Sequence, residues 1–257
     1  MVTTYLPEER RSRIATILSE EGKVTAQDLS RRLGVSADTI RRDLIQLERT
    51  NQLNRTHGGA LPRSPATAAY HLRKEQNSTA KMQIAKKTVA LLQEGQVIFM
   101  DSGTTVEEVA RHLSSDFTAT VVTHSLPVAM TLGSHRHLRV IMPGGTVDGE
   151  SMILNGSGVM DQFRNIRADV CLLGACSIDA DTGITCTRFE EVDIKRQIIR
   201  NSRMVIVPAT SDKFGTAAPF FIAPMECVSV IVTEQSTPDE RLLPCRNLSI
   251  RIEKGES

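Results

Sequence analysis

Apolar residues in the first sixty positions recur at helical spacing. Ile14, Ile17 and Leu18 fall at i, i+3 and i+4, which predicts a helix over 7–21 opened by Pro7 and closed by Gly22. Ala26, Leu29 and Leu33 make a second inward stripe, with Thr25 as its cap and Asp28 three residues on. Ile40, Leu44 and Leu47 make a third, capped by Ser36. Only a tight turn at Gly34 separates the second stripe from the third. Asn51 can take the left-handed conformation that ends a helix. Leu53, Arg55 and His57 then alternate as in a short strand, and Gly58-Gly59 turns the chain beside the third helix.

The pattern changes after Pro62. Proline, small residues and mixed charge mark a linker over 63–77, followed by a helix over 78–93. Short apolar runs then recur at 97–100, 119–122, 138–142, 170–173, 204–207 and 228–232. Most are unbroken, as in strands buried on both faces. Helical stretches at 105–114, 125–133, 156–164 and 190–202 lie between them. This alternation predicts an α/β domain with a largely parallel sheet. The expected organisation is a winged helix-turn-helix over 1–62, a linker over 63–77, and an α/β effector-sensing and oligomerisation domain over 78–257.

Composition narrows the function classes. A chain of 257 residues, 40% apolar, is long enough for one small and one ordinary domain. Trp is absent and aromatics are 4%, which argues against stacking platforms for single strands. Net charge is only +1, but residues 1–63 carry 11 Arg/Lys against 8 Asp/Glu, a basic head on a slightly acidic body. Five cysteines without a Cys-x-x-Cys pair suggest neither a disulfide framework nor zinc. With no signal pattern and no run of 18 apolar residues, a cytoplasmic protein without membrane association, metal or cofactor is expected.

Two helices joined at Gly34 outline a helix-turn-helix whose second helix enters a groove of double-stranded DNA. The candidate contacts are Ser36, Thr39, Arg41 and Arg42 on that helix, and Arg55 and His57 on the wing. An arginine there either reads guanine or holds a phosphate. In the larger domain, Asp101-Ser102-Gly103-Thr104-Thr105 follows a strand and opens a helix, which suits a phosphate. Pro143-Gly144-Gly145-Thr146 and Ser211-Asp212-Lys213 follow two further strands, and Lys213 offers a neutralising charge. The stretch 188–199 reads mostly as a solvated helix face with a Glu191–Lys195 pair, and Glu190 or Glu191 at its start is placed to reach sugar hydroxyls. An alternative is an active phosphosugar isomerase or deaminase with an appended DNA-binding module. Asp101, His124, Glu190 and Glu191 would then be its acid–base candidates, although no nucleophile–base pairing is visible.

Taken in order, Gly34-Val35-Ser36, Thr39 to Leu44, Arg55 to Ala60, Asp101 to Thr105, Pro143-Gly144-Gly145 and Ser211 to Gly215 resemble the DeoR family of bacterial transcription regulators. The resemblance spans nearly the whole chain. It implies a winged helix joined to a sensor domain folded like ribose-5-phosphate isomerase, and no enzymatic activity. It further implies a repressor of a carbohydrate-catabolism operon that leaves its operator when a phosphorylated sugar binds. By similarity, residues 101–105 and Lys213 hold the phosphate while Gly144 and Gly145 line the site. The sequence departs from the family where Thr123-His124-Ser125 replaces the usual Thr-Asn-Ser, which adds His124 to the presumed pocket. Departures also occur at 175–177, 210 and 212. A homo-oligomer is expected, since a dimer places two recognition helices on half-sites about 34 Å apart.

Overall fold

A computed structural model describes residues 5–256; Met1–Thr4 and Ser257, the outermost residues of the two expected domains, lie outside it. Three helices open the chain: α1 (Pro7–Glu21), α2 (Ala26–Leu33), which follows the short strand β1 (Val24–Thr25), and α3 (Ala37–Arg49). The predicted caps act as such. Thr25 accepts from the Asp28 amide at 3.1 Å, and Ser36 accepts from the Thr39 amide at 3.2 Å. Gly34 is left-handed between α2 and α3, and Asn51, at φ 59°, turns the chain just past α3. Strands β2 (Asn54–Thr56) and β3 (Gly59–Leu61) form the wing, and β1 joins them in a three-stranded sheet. Ile14, Leu18, Leu29, Ile40, Leu44 and Leu47 meet in one buried cluster, as their periodicity requires.

Residues 63–77, expected as a linker, carry a 3-10 turn at Pro65–Thr67 and helix α4 (Tyr70–Glu75). They lie against the larger domain. Tyr70 is buried and its hydroxyl donates to the Glu107 carboxylate, while Ser64 Oγ donates to the Cys176 carbonyl at 2.8 Å.

The larger domain runs α5 (Ser78–Val89), β4 (Val97–Met100), α6 (Thr104–Arg111), β5 (Ala119–Val122), α7 (Leu126–Leu132) and β6 (Leu138–Ile141). It continues with β7 (Thr146–Asp148), β8 (Ile153–Asn155), α8 (Ser157–Arg164), β9 (Ala168–Leu172), β10 (Ser177–Asp179) and β11 (Gly183–Cys186). It ends with α9 (Val192–Arg200), β12 (Ser202–Pro208), β13 (Phe220–Ala223), β14 (Val230–Glu234), α10 (Asp239–Asn247) and β15 (Arg251–Gly255).

Seven strands form one sheet in the order β15-β14-β12-β9-β4-β5-β6, with every neighbouring pair parallel. One apolar cluster, including Ile84, Ile98, Val109, Val121, Val170 and Ile206, fills one side of the sheet. A second, including Phe99, Phe163, Cys171, Ile198 and Val207, fills the other. Alternate residues of each strand thus enter different cores, which is why the strands read as unbroken apolar runs. Two features lie outside that pattern: the antiparallel sheet β10-β11-β13 and the hairpin β7-β8.

Candidate functional site: a DNA-facing helix and a cationic cavity

On α3 the off-stripe residues face solvent. Arg41 and Arg42 are exposed, Arg41 is tied to Asp38 at 2.5 Å, and Arg42 has no hydrogen bond or ion pair among the described residues. Ser36 and Thr39 share a hydroxyl contact of 2.9 Å at the helix start. The wing brings Arg55 and His57 beside Arg41, where the three line one shallow groove. Arg55 is oriented by Glu48, which accepts from its amide at 3.0 Å and from its Nε at 2.8 Å. Asp43, by contrast, points inward. It receives Arg10 Nε at 2.5 Å and Nη2 at 3.2 Å, and so ties α3 to α1 through a buried pair.

The second site lies beyond the carboxyl ends of β4, β9 and β12, which are adjacent at the centre of the parallel sheet. A cavity of about 310 Å³ opens there. Its floor is Ser102, Gly103, Thr104, Thr105 and Val106, the start of α6, together with Gly174–Cys176 after β9. The first amides of a helix have no partner within it, so this end presents donors and a positive dipole. The Thr104 and Thr105 hydroxyls make no hydrogen bond among the described residues. Gly174 permits the close approach of the two floor loops, because a Cβ there would sit 2.0 Å from the Ser102 carbonyl oxygen.

Beside the floor is a buried ionic cluster, of which Lys195 and Glu191 also line the cavity. Lys195 Nζ donates to Asp101 Oδ2 at 2.5 Å and to the Gly174 carbonyl at 2.9 Å, and lies 3.3 Å from Glu191 Oε2. Burial alone would lower this lysine, but Asp101 and Glu191 hold it above its ordinary value. Asp101 also accepts the Gly174 amide at 2.9 Å. His124 Nε2 stops 3.7 Å from Asp101 Oδ1, and neither atom has a hydrogen-bond partner. Burial pushes that imidazole below its usual value, leaving it neutral at pH 7.

The cavity walls carry the free charge. Arg63, Arg73 and Lys213 line it, and none has a carboxylate partner among the described residues. Partial burial, and the nearby Arg73 guanidinium, lower Lys213. Lys81 lies just behind and donates to the Arg73 carbonyl at the end of α4. Burial, Lys213 and Arg73 lower it to about 8. Arg188 also lines the cavity but is engaged by Asp148 and by Glu150 at 2.7 Å. Crowded cations of this kind raise one another's energy until an anion enters.

Residues 10–65 match the DeoR-like helix-turn-helix domain, and residues 76–235 match the DeoR C-terminal sensor domain. The chain belongs to the DeoR family. The glycerol-3-phosphate regulon repressor of Escherichia coli K12 is 33% identical to it over 231 residues, covering 90% of this chain and 92% of the relative. The transcriptional repressor GlcR of Bacillus subtilis is 30% identical over 230 residues, covering 89% and 88%. Ribose 5-phosphate isomerase A of Methanocaldococcus jannaschii overlaps 51% of this chain and 52% of its own at 17% identity and a TM-score of 0.38, too loosely to carry a conclusion. This DeoR-family chain is a DNA-binding transcriptional regulator with a small-molecule sensor, not an enzyme.

Within this DeoR-family sensor, the residues singled out in the sequence divide. Ser102, Gly103, Thr104, Thr105 and Lys213 line one cavity. Asp101 lies under the floor, locked to Lys195, and His124 lies deeper, against Phe163. Gly144 and Gly145 are exposed and outside the cavity lining; Gly145 lies against the Asn155 carbonyl. Glu190 is exposed and its neighbour Glu191 faces the cavity instead, because the 3-10 turn Phe189–Glu191 rotates the two apart. The solvated Glu191–Lys195 pair is in fact buried. Lys195 sits within the stripe of Val192, Ile194 and Ile198, a position visible in the sequence once the helix phase is set by its apolar residues. Arg63, Arg73 and Arg188 were not among the candidates, and no local motif distinguishes them from surface arginines.

Proposed function

We propose that this regulator represses a carbohydrate-catabolism operon and leaves its operator when a phosphorylated sugar enters the cavity of the sensor. The reading rests on one observation: an α6 N-terminus with open Thr104 and Thr105 hydroxyls faces Arg63, Arg73 and Lys213, cations without carboxylate partners among the described residues. A phosphate oxygen accepts from the amides and hydroxyls, and its charge relieves the crowding of the cations. The sugar hydroxyls meet Glu191, Ser151 and Thr187 on the remaining wall. The names of the relatives support the chemistry, since one is a repressor of a glycerol-3-phosphate regulon. We further propose a cytoplasmic homo-oligomer without membrane association, with two recognition helices per operator. No helix among the described residues is long and apolar enough to cross a membrane, and all five cysteines are free thiols.

Thermal-shift measurement with glycerol 3-phosphate, hexose 6-phosphates and the corresponding unphosphorylated sugars tests the reading. A native-state ligand at a hundredfold its Kd stabilises by about 2.7 kcal/mol, enough for a shift of several degrees. Stabilisation by phosphorylated compounds alone, together with release of bound DNA, is the expected result. Equal response to the unphosphorylated sugars would refute the phosphate assignment.

A further inference from the structure

We propose that Arg63 is the residue through which the cavity acts on the DNA-binding domain. Arg63 lines the cavity, and its Nη1 donates at 3.1 Å to the carbonyl of Asn51, the left-handed residue that ends the recognition-helix turn. The same residue therefore belongs to both sites. An anion in the cavity forms charge-assisted bonds to a guanidinium about twice as strong as those to a neutral carbonyl. It draws Arg63 inward and releases Asn51.

The neighbouring backbone gives this motion a fixed base. Ser64 donates to the Ala217 carbonyl at 3.0 Å, and Ala217 donates to the Pro62 carbonyl at 3.1 Å, so Arg63 is anchored to the sensor loop that carries Lys213. Only its side chain reaches back to the helix. Loss of that bond leaves the sensor unchanged and frees the trailing end of α3, whose angle on the DNA fixes which groups the arginines reach. The inference rests on the proposed binding of an anion in the cavity. It adds that binding and release are separable at one residue.

The test uses the full chain, a duplex selected by this protein from random sequence, and two probes, glycerol 3-phosphate and inorganic phosphate. For the unaltered protein, probe binding should lower DNA affinity by about 5- to 150-fold, the usual span of allosteric coupling. Arg63→Met should bind the probe more weakly, so the ratio is measured at a probe concentration that saturates the variant's own melting-temperature shift; at that saturation the DNA affinities with and without probe should differ by no more than about twofold. Arg63→Lys, which keeps the charge but not the fork, should lose most of the ratio as well. Lys23→Ala removes a different tie between the domains, Lys23 to Asp181 at 2.5 Å, and should leave the ratio intact. If Arg63→Met binds the probe and keeps the full ratio, the coupling role is overturned and the cavity reading stands. If neither probe nor any of the hexose 6-phosphates shifts the melting temperature of the unaltered protein, the cavity reading fails and the coupling role falls with it.

Discussion

Arg42 of α3 and Lys213 of the larger domain are in the same chemical situation, as cations without a carboxylate partner among the described residues. Each is free to meet an anion from outside. Arg42→Ala and Arg41→Ala should each weaken operator binding. A phosphate-contacting arginine should also reduce the slope of log affinity against log salt by about one, measured by titration at several salt concentrations. The Arg41–Asp38 pair is no obstacle, since exposed pairs of this kind contribute about 0.2–1 kcal/mol. Lys213→Ala should leave DNA binding within about twofold of normal and abolish release by phosphorylated ligands in a gel-shift assay. Ligand affinity should also depend on pH. Lys81, lowered to about 8, and the lowered Lys213 must be protonated for the anion to bind. Above pH 8 the free protein has lost protons that the complex must take back, so affinity falls as pH rises. Below about pH 6 the phosphate itself becomes a monoanion and affinity falls again. Calorimetric titration from pH 5.5 to 9 should find the optimum between those limits.

Among the elements, α3 does two jobs with adjacent residues. Arg41 and Arg42 face out while Asp43 closes a buried, two-pronged ion pair with Arg10 of α1. Asp43→Ala leaves that guanidinium buried and alone, and should destabilise the winged helix by about 3–5 kcal/mol in denaturant unfolding monitored in that domain. The helices, their caps at Thr25 and Ser36 and the central strands were legible because each is fixed by local chemistry or by a repeating apolar face. The strands β7, β8, β10, β11 and β13, each three or four residues long, carry too few residues for a period to register. The segment 63–75 was obscured for a different reason. Its buried contacts, Tyr70 to Glu107 and Ser64 to Cys176, join residues 37 and 112 positions apart. Composition there resembles a linker because the partners that order it lie elsewhere in the chain. In the cavity, the floor was readable from strand-end loops. Of the wall cations only Lys213, itself in a strand-end loop, was readable, since Arg63 and Arg73 gain their meaning only from the fold.

At the scale of the whole molecule, the two domains touch through more than their covalent joint. Lys23 meets Asp181, and Asn54 of the wing donates to the carbonyl of Ala217 in the loop that also holds Ser64. Ties of this kind hold the wing against the sensor and give the Arg63–Asn51 bond a fixed base to act from, which a free linker would not provide. The wall contributed by residues 63–75 also limits how such a protein can be recombined. The family's sensor domain begins its match at residue 76, just past Arg63 and Arg73. A chimera exchanged with a relative at that seam takes two of the three cavity-lining arginines, Arg63 and Arg73, from the other parent. One exchanged at residue 62 keeps the set whole. Melting-temperature shifts with glycerol 3-phosphate should therefore match this protein's for the seam at 62 and neither parent's for the seam at 76, so that ligand preference is inherited with the joint rather than with the sensor alone.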